Sequence, residues 1–510
     1  MRLSALPYLL SATFGAAEPV FEPVAVPAHA YTGGWEHFVG GGVAVFDCDG
    51  DHRPELYVAG GEATAALFRN QDQSALAFDI ETPKALSLTG VTGAYPLDID
   101  GDSWLDLAVL RVGENLLMRG LPDCGFEPFD ELGFASADRW TTAFSATWES
   151  DADLPTLAFG NYVDRTHPEG PFEACDDNAL YRPMGDGYSA PSMLQPGFCA
   201  LSMLFTDWGG NGRADLRISN DRHYYVSAGH EQLWAMERTP RLFTEEEGWL
   251  RHKLWGMGIA ARDMTGDGRA EVMLSSMGDQ RMQSLESGGK PTFRDVPFGM
   301  GTTAHRPYTG GDGRPSTGWH IAFGDVQNDG RDDIFIAKGN VDQMPGLAMD
   351  DPNNLLIQQE DGRFIEFGES AGLASLHRAR GAAMVDLDLD GRLDIVVVNR
   401  RANVEVFRNV TDPVGNHLSV LLQQGNANSH AVGAVIELRT NGRVQTREIT
   451  VGGGHVSGDV GPAHFGLGPA TQVQLRVTWP SGNTSAWHDV ASNQALVVRP
   501  AGSALDITPY

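Results

Sequence analysis

The chain has 510 residues, a formal net charge of −30 and a hydrophobic fraction of 42%. That apolar content is too high for a disordered acidic chain, and the negative charge argues against a nucleic-acid partner, whose phosphates it would repel. The length accommodates several ordinary domains, or one large repeat architecture with an added module.

In chain order, residues 1–17 have the make-up of a secretory signal: Arg2, an apolar run from Leu3 to Phe14, then the small residues Gly15, Ala16 and Ala17. The run is too short to span a membrane, and no later segment is long enough. The expectation is a secreted or periplasmic protein. Export allows disulfides among Cys48, Cys124, Cys175 and Cys199. Cys175 and Cys199 flank one long loop and are the preferred pair, which leaves Cys48 with Cys124. Four cysteines permit three connectivities, so the second pair carries less weight.

From residue 47 onward an acidic pattern recurs. Its full form places carboxylates at positions 1, 3, 5 and 9: Asp47, Asp49, Asp51 and Glu55; Asp98, Asp100, Asp102 and Asp106; Asp386, Asp388, Asp390 and Asp394. Two near-complete copies are Asp263, Thr265, Asp267 and Glu271, and Asp325, Gln327, Asp329 and Asp333. A thinner copy has Asp207, Asn211 and Asp215, and a degenerate one has Trp148, Ser150 and Ala152 at the ligand positions. The first positions lie 51, 50, 59, 56, 62 and 61 residues apart, a period that signals a propeller or solenoid.

Each copy is preceded by a small or apolar run such as "GGVAVF" and followed by a β-branched run such as "DIVVV", which is the pattern of a hairpin. Third and fourth apolar stretches follow, giving four short strands per unit, as in a propeller blade. The last unit stops after "VEVFRNVT", and Val20–Val26 has no other assignment, so this segment is expected to supply the missing strand and close the ring. The predicted fold is therefore all-β: a seven-bladed β-propeller over residues 18–411, followed by a small C-terminal β domain over 415–500.

Alternating acids in a short loop suit a hard cation. Oxygen-only ligands, without His or Cys, select calcium over zinc or copper. An EF-hand needs a glutamate at position 12, where the three full loops have Val58, Val109 and Val397. An Asp-rich turn between strands is the plainer alternative for one loop, but five copies in register favour several structural calcium ions.

These units resemble the FG-GAP and VCBS-like calcium repeats of integrin-type propellers. The tail, "NSHAVGAVIELRTNGRVQTREITVGGGHVSGDVGPAHFGLG" followed by "VTWPSG", resembles the ASPIC/UnbV domain of the cartilage acidic protein family. The resemblance implies an exported calcium-binding propeller.

If the acidic loops cap one face, the following strand emerges on the other. Six of the seven segments there carry a cation: Arg111, Arg165, Arg222, Arg281, Lys338, and Arg400 beside Arg401. They could form a site for an anionic glycan or another anionic ligand. The alternative is that each pairs with a local acid, namely Glu114, Asp164, Asp221, Asp279 or Asp342. His223, beside Tyr224 and Tyr225, could act as a base in a calcium-dependent polysaccharide lyase. No P-loop or His-Glu-x-x-His occurs in the chain. The function expected is a binding or adhesion module for an anionic glycan or extracellular protein. A carbohydrate-active enzyme is the second choice.

Overall fold

The computed structural model describes residues 17–72, 76–149, 152–171, 173–221, 229–303, 313–440 and 442–510. The proposed signal therefore lies almost wholly outside the described residues, as do Arg222, His223, Tyr224 and Tyr225.

Among the described residues, antiparallel four-stranded units follow one another along the chain. The first comprises Val43–Phe46, Glu55–Val58, Ala66–Asp72 and Ala77–Ile80. The next five start at Val91, Arg139, Ala200, Gly256 and Gly318. The seventh sheet contains Arg378–Val385, Asp394–Arg400 and Glu405–Asn409, and its outer position is filled by Phe21–Val24 from the N-terminal end. In this register Phe21 lies opposite Asn409 and Val24 opposite Val406. The segment expected to complete that sheet does so.

The innermost strands neighbour one another in order, and the seventh packs against the first, so the sheets are arranged radially as in a β-propeller. Leu56, Phe68, Phe144, Phe159, Ile336 and Val396 are buried where one sheet stacks on the next. Cys48–Cys124 ties the first acidic loop to the second unit, and Cys175–Cys199 ties the third unit to the fourth. Both expected pairs form.

The tail folds as two four-stranded sheets over a core of its own. One sheet contains Ala463–Gly468, Asn416–Leu422, Gln494–Ala501 and Ala504–Pro509. The other contains Arg443–Glu448, Val435–Thr440, Gln472–Thr478 and His488–Ala491. Leu418, Ile436, Phe465, Leu475 and Val498 fill the space between them. The last strand runs to Pro509, past the boundary at residue 500 read from the sequence.

Candidate metal centres and the docked C-terminal domain

Each acidic loop is a turn of one design. The position-1 aspartate accepts backbone N–H bonds from the turn ahead of it. Asp47 takes Gly50 and His52, Asp98 takes Gly101 and Ser103, and Asp386 takes Asp390 and Gly391. Positions 4 and 6 are left-handed in these loops: Gly50 and His52, Gly101 and Ser103, Leu389 and Gly391. Glycine and asparagine adopt that region readily, which explains the glycines at these positions and Asn328 in the sixth loop. The two left-handed residues curl the chain so that alternate side chains face inward.

In the three full loops, carboxylate oxygens from positions 1, 3 and 9 lie within 4.8 Å of one another: Asp47, Asp49 and Glu55; Asp98, Asp100 and Asp106; Asp386, Asp388 and Asp394. Position 9 also staples the loop. Asp106 accepts from Ile99 and Gly120 N–H, and Asp394 accepts from Leu387 and Asn409 N–H. Burial, reinforced by the neighbouring carboxylates, pushes Glu55, Asp106 and Asp386 up to about 8 and Glu271 to about 7. Asp325, Asp333 and Asp394 are held well above the usual carboxylate range for the same reason. Like charges this close and this dry favour either a proton or a cation among them.

Two atoms speak for the cation. Glu55 is 1% exposed, yet its Oε1 accepts no hydrogen bond, and the Arg69 Nε is 3.9 Å away. Gln327, at position 3 of the sixth loop, is buried with Oε1 likewise unpartnered. A hard cation with six to eight oxygen ligands fits such orphaned oxygens.

Position 5 differs from the expected ligand role. Asp51, Asp267, Asp329 and Asp390 each pair with the arginine two residues on, Arg53, Arg269, Arg331 and Arg392. Asp102 pairs with Arg119, which also reaches Asp100 at 3.1 Å. Third-strand arginines lean on the loops elsewhere too, Arg69 on Asp49 and Arg408 on Asp388.

The weakened copies have other partners. In the fourth unit Asp215 is fully buried and satisfied by Trp208 Nε1 at 2.8 Å, Arg213 Nε at 3.0 Å and Met236 N at 2.9 Å. In the third, Glu149 binds Arg182 through two hydrogen bonds of 2.8 Å. Protein donors hold these carboxylates, as they hold Asp106 and Asp394, but among the described residues neither loop gathers three carboxylates within 4.8 Å of one another.

Among the described residues, the cations proposed for the opposite face are engaged, Arg222 lying outside them. Arg165 pairs with Glu36 at 2.8 Å and with Asp138, and Arg281 with Asp295 at 2.8 Å. Lys338 and Asp351 form a fully buried pair at 3.0 Å. Arg400, Arg401 and Arg378 converge on Asp342. Arg111 donates to the carbonyls of Thr89 and Glu114. Of the local acids named above, Asp342 pairs with Arg400 and Asp279 lies 3.8 Å from Arg281, whereas the other ion pairs are made with acids further away in sequence.

The C-terminal domain sits on the acidic-loop face. Ser429 Oγ donates to Asp98 Oδ2 at 2.5 Å, Asp207 N to Glu448 at 2.9 Å, and Arg447 pairs with Asp332 at 2.8 Å. His464 Nε2 meets Asn328 Oδ1 at 2.7 Å, and the Tyr510 ring lies 4.1 Å from that of His52.

From this domain the segment 451–460 enters the axis of the ring and touches the innermost strand of every unit. Gly458–Val460 pairs in parallel with Val43–Phe46, and Tyr95 Oη donates to Gly453 O. Ser145 Oγ donates to Val451 O, while Gly453 N and Gly454 N donate to Met203 O and Ile259 O. His455 N donates to His320 Nδ1, and a Cβ on Gly381 would lie 2.3 Å from Ser457 Oγ. Burial lowers His455 to about 3 and His320 to about 4, so both are neutral in this plug. A cavity of about 1380 Å³ remains around the base of the finger, with Arg262, Asp386, His417, Arg447 and Asp459 among its lining.

The fold and site define a β-propeller with acidic metal-type loops, capped and plugged by a C-terminal β domain. The FG-GAP-like repeat family model matches residues 47–109, and the ASPIC and UnbV model matches residues 424–504, so the chain carries both elements. It is similar to cartilage acidic protein 1 of Xenopus tropicalis, 24% identical over 216 residues, covering 39% of this chain and 31% of that protein. The Homo sapiens protein of the same name is 27% identical over 252 residues, covering 47% of this chain and 35% of its own length. The alignments thus span about a third of the length of these curated relatives. Among solved structures, BBS1N in complex with ARL6DN aligns at TM-score 0.44 and 9% identity, covering 78% of this chain and 99% of that one.

Proposed function

We propose that this protein is an exported, calcium-organised, seven-bladed propeller that works as a binding or adhesion module. The observation that carries the calcium reading is the convergence of position-1, -3 and -9 oxygens within 4.8 Å in three loops, with Glu55 Oε1 buried and unpartnered. Bound calcium would neutralise carboxylates that otherwise repel, and so act structurally. The two disulfides fit an oxidising compartment. The engaged state of Arg165, Arg281, Lys338 and Arg400 removes the main support for an anionic glycan on the opposite face. Because the axis is filled by residues 451–460, a partner would be met by the outer surfaces of the ring or by the C-terminal domain.

Calorimetric titration of metal-stripped protein tests this reading. Calcium should bind at several sites and magnesium more weakly, since magnesium demands a compact octahedral shell and gives up its water reluctantly. Absence of calcium binding at millimolar concentration would remove the proposal.

A further inference from the structure

We propose that the loops of the second and sixth units are the seats of the C-terminal domain, so that calcium binding and domain docking are thermodynamically coupled; this rests on the calcium reading above. The second loop is completed from 331 positions away in sequence by Ser429, whose Oγ donates to Asp98 Oδ2. Both residues are buried, at 8% and 2% exposure. The serine is held by a built turn: Val432 N donates to Asn428 Oδ1, and Asn428 Nδ2 to Val432 O, each at 2.8 Å. Ala427 Cα would lie 2.8 Å from a Cβ on Gly101, so the turn rests directly on the loop apex. Asp98 is also the position-1 member of the second metal group. A cation there fixes the carboxylate that Ser429 reads, as an outer-shell partner orients a ligand.

The sixth loop is read through its backbone. Gly415 N donates to Gln327 O at 3.0 Å and Gly468 N to Asn328 O at 2.7 Å. The Asn328 side chain is clamped between Gly391 O and the His464 ring, each contact 2.7 Å. A Cβ on Gly466 would stand 1.8 Å from Asp325 Oδ2, so that strand lies flat against the metal-loop carboxylate. These contacts require the loop to hold one shape while Asp325, Asp329 and Asp333 repel. The cation supplies that restraint. The two events then raise each other's affinity by one common factor.

The test combines hydrogen exchange and calcium titration on the full chain, with calcium as the only added ligand. In wild-type protein, calcium should slow amide exchange at least about tenfold in peptides covering Gly415–Leu422 and Ala463–Gly468. Ser429→Ala should weaken one calcium site about tenfold, the scale of a hydrogen bond to a charged group, while keeping the number of sites. Full calcium binding with unchanged exchange in both peptides would overturn the coupling and leave the calcium reading standing. Unchanged calcium affinity in a folded Ser429→Ala protein would remove the second loop as a seat. No calcium binding at all would remove both readings.

Discussion

Stripping calcium is expected to lower the melting temperature by several degrees or more, and restoring calcium should reverse the loss. A ligand that binds only the folded state adds RT ln(1 + [L]/Kd), about 2.7 kcal/mol per site at a hundredfold excess over Kd. The metal-free loops must also keep Asp386, Asp388 and Asp394 together, with Asp386 and Asp394 driven toward the protonated form by burial. Asp386→Ala should reproduce part of the loss, because it removes one ligand and the acceptor for the Asp390 and Gly391 amides. Asp153→Ala, an exposed position in the degenerate third loop, should have little effect. An unchanged melt after verified metal removal would count against structural calcium.

Gly93→Val should be still more damaging. A Cβ at Gly93 would lie 2.0 Å from Val456 O and 2.7 Å from the Val456 side chain. Val456 is fully buried and left-handed at φ 48°, inside a finger bonded to its surroundings on both sides, so it has nowhere to move. Overpacking against fixed backbone in a core belongs to the costliest class of substitution, here above about 4 kcal/mol. Gly299→Ala, where a Cβ meets nothing within 4 Å, is the matched control. Chemical denaturation of the three proteins measures the difference. A Gly93→Val protein as stable as wild type would mean that the finger does not occupy the axis in solution.

Much of this architecture is legible in the sequence because it is local and periodic. The carboxylate spacing follows from a turn whose side chains alternate, and the glycines and Asn328 at its apex follow from the left-handed positions. The closing strand is legible because Val20–Val26 has no other assignment and the seventh unit lacks a partner for Glu405–Asn409. Long-range side-chain choices are not legible in this way. Nothing in the spacing of Asp51 and Arg53 says whether the aspartate faces a cation or its neighbour, because both cost similar local geometry. Asp164 adjoins Arg165 in sequence, but the partners of Arg165 are Glu36, 129 residues back, and Asp138. Ser429 carried no signal, since a lone serine becomes informative only beside Asp98. The glycine run 452–454 did carry one: such a run marks close backbone approach. Its destination inside the ring depends on where the whole domain docks, which no local pattern encodes.

Native mass spectrometry of the intact chain counts the calcium ions that the acidic loops hold. The sequence places complete or near-complete ligand sets in the first, second, fifth, sixth and seventh loops, and carboxylate oxygens of the first, second and seventh lie within 4.8 Å of one another. About five calcium ions per folded chain are expected, with one fewer in Asp386→Ala. A folded chain that carries no calcium in calcium-containing buffer would contradict this expectation.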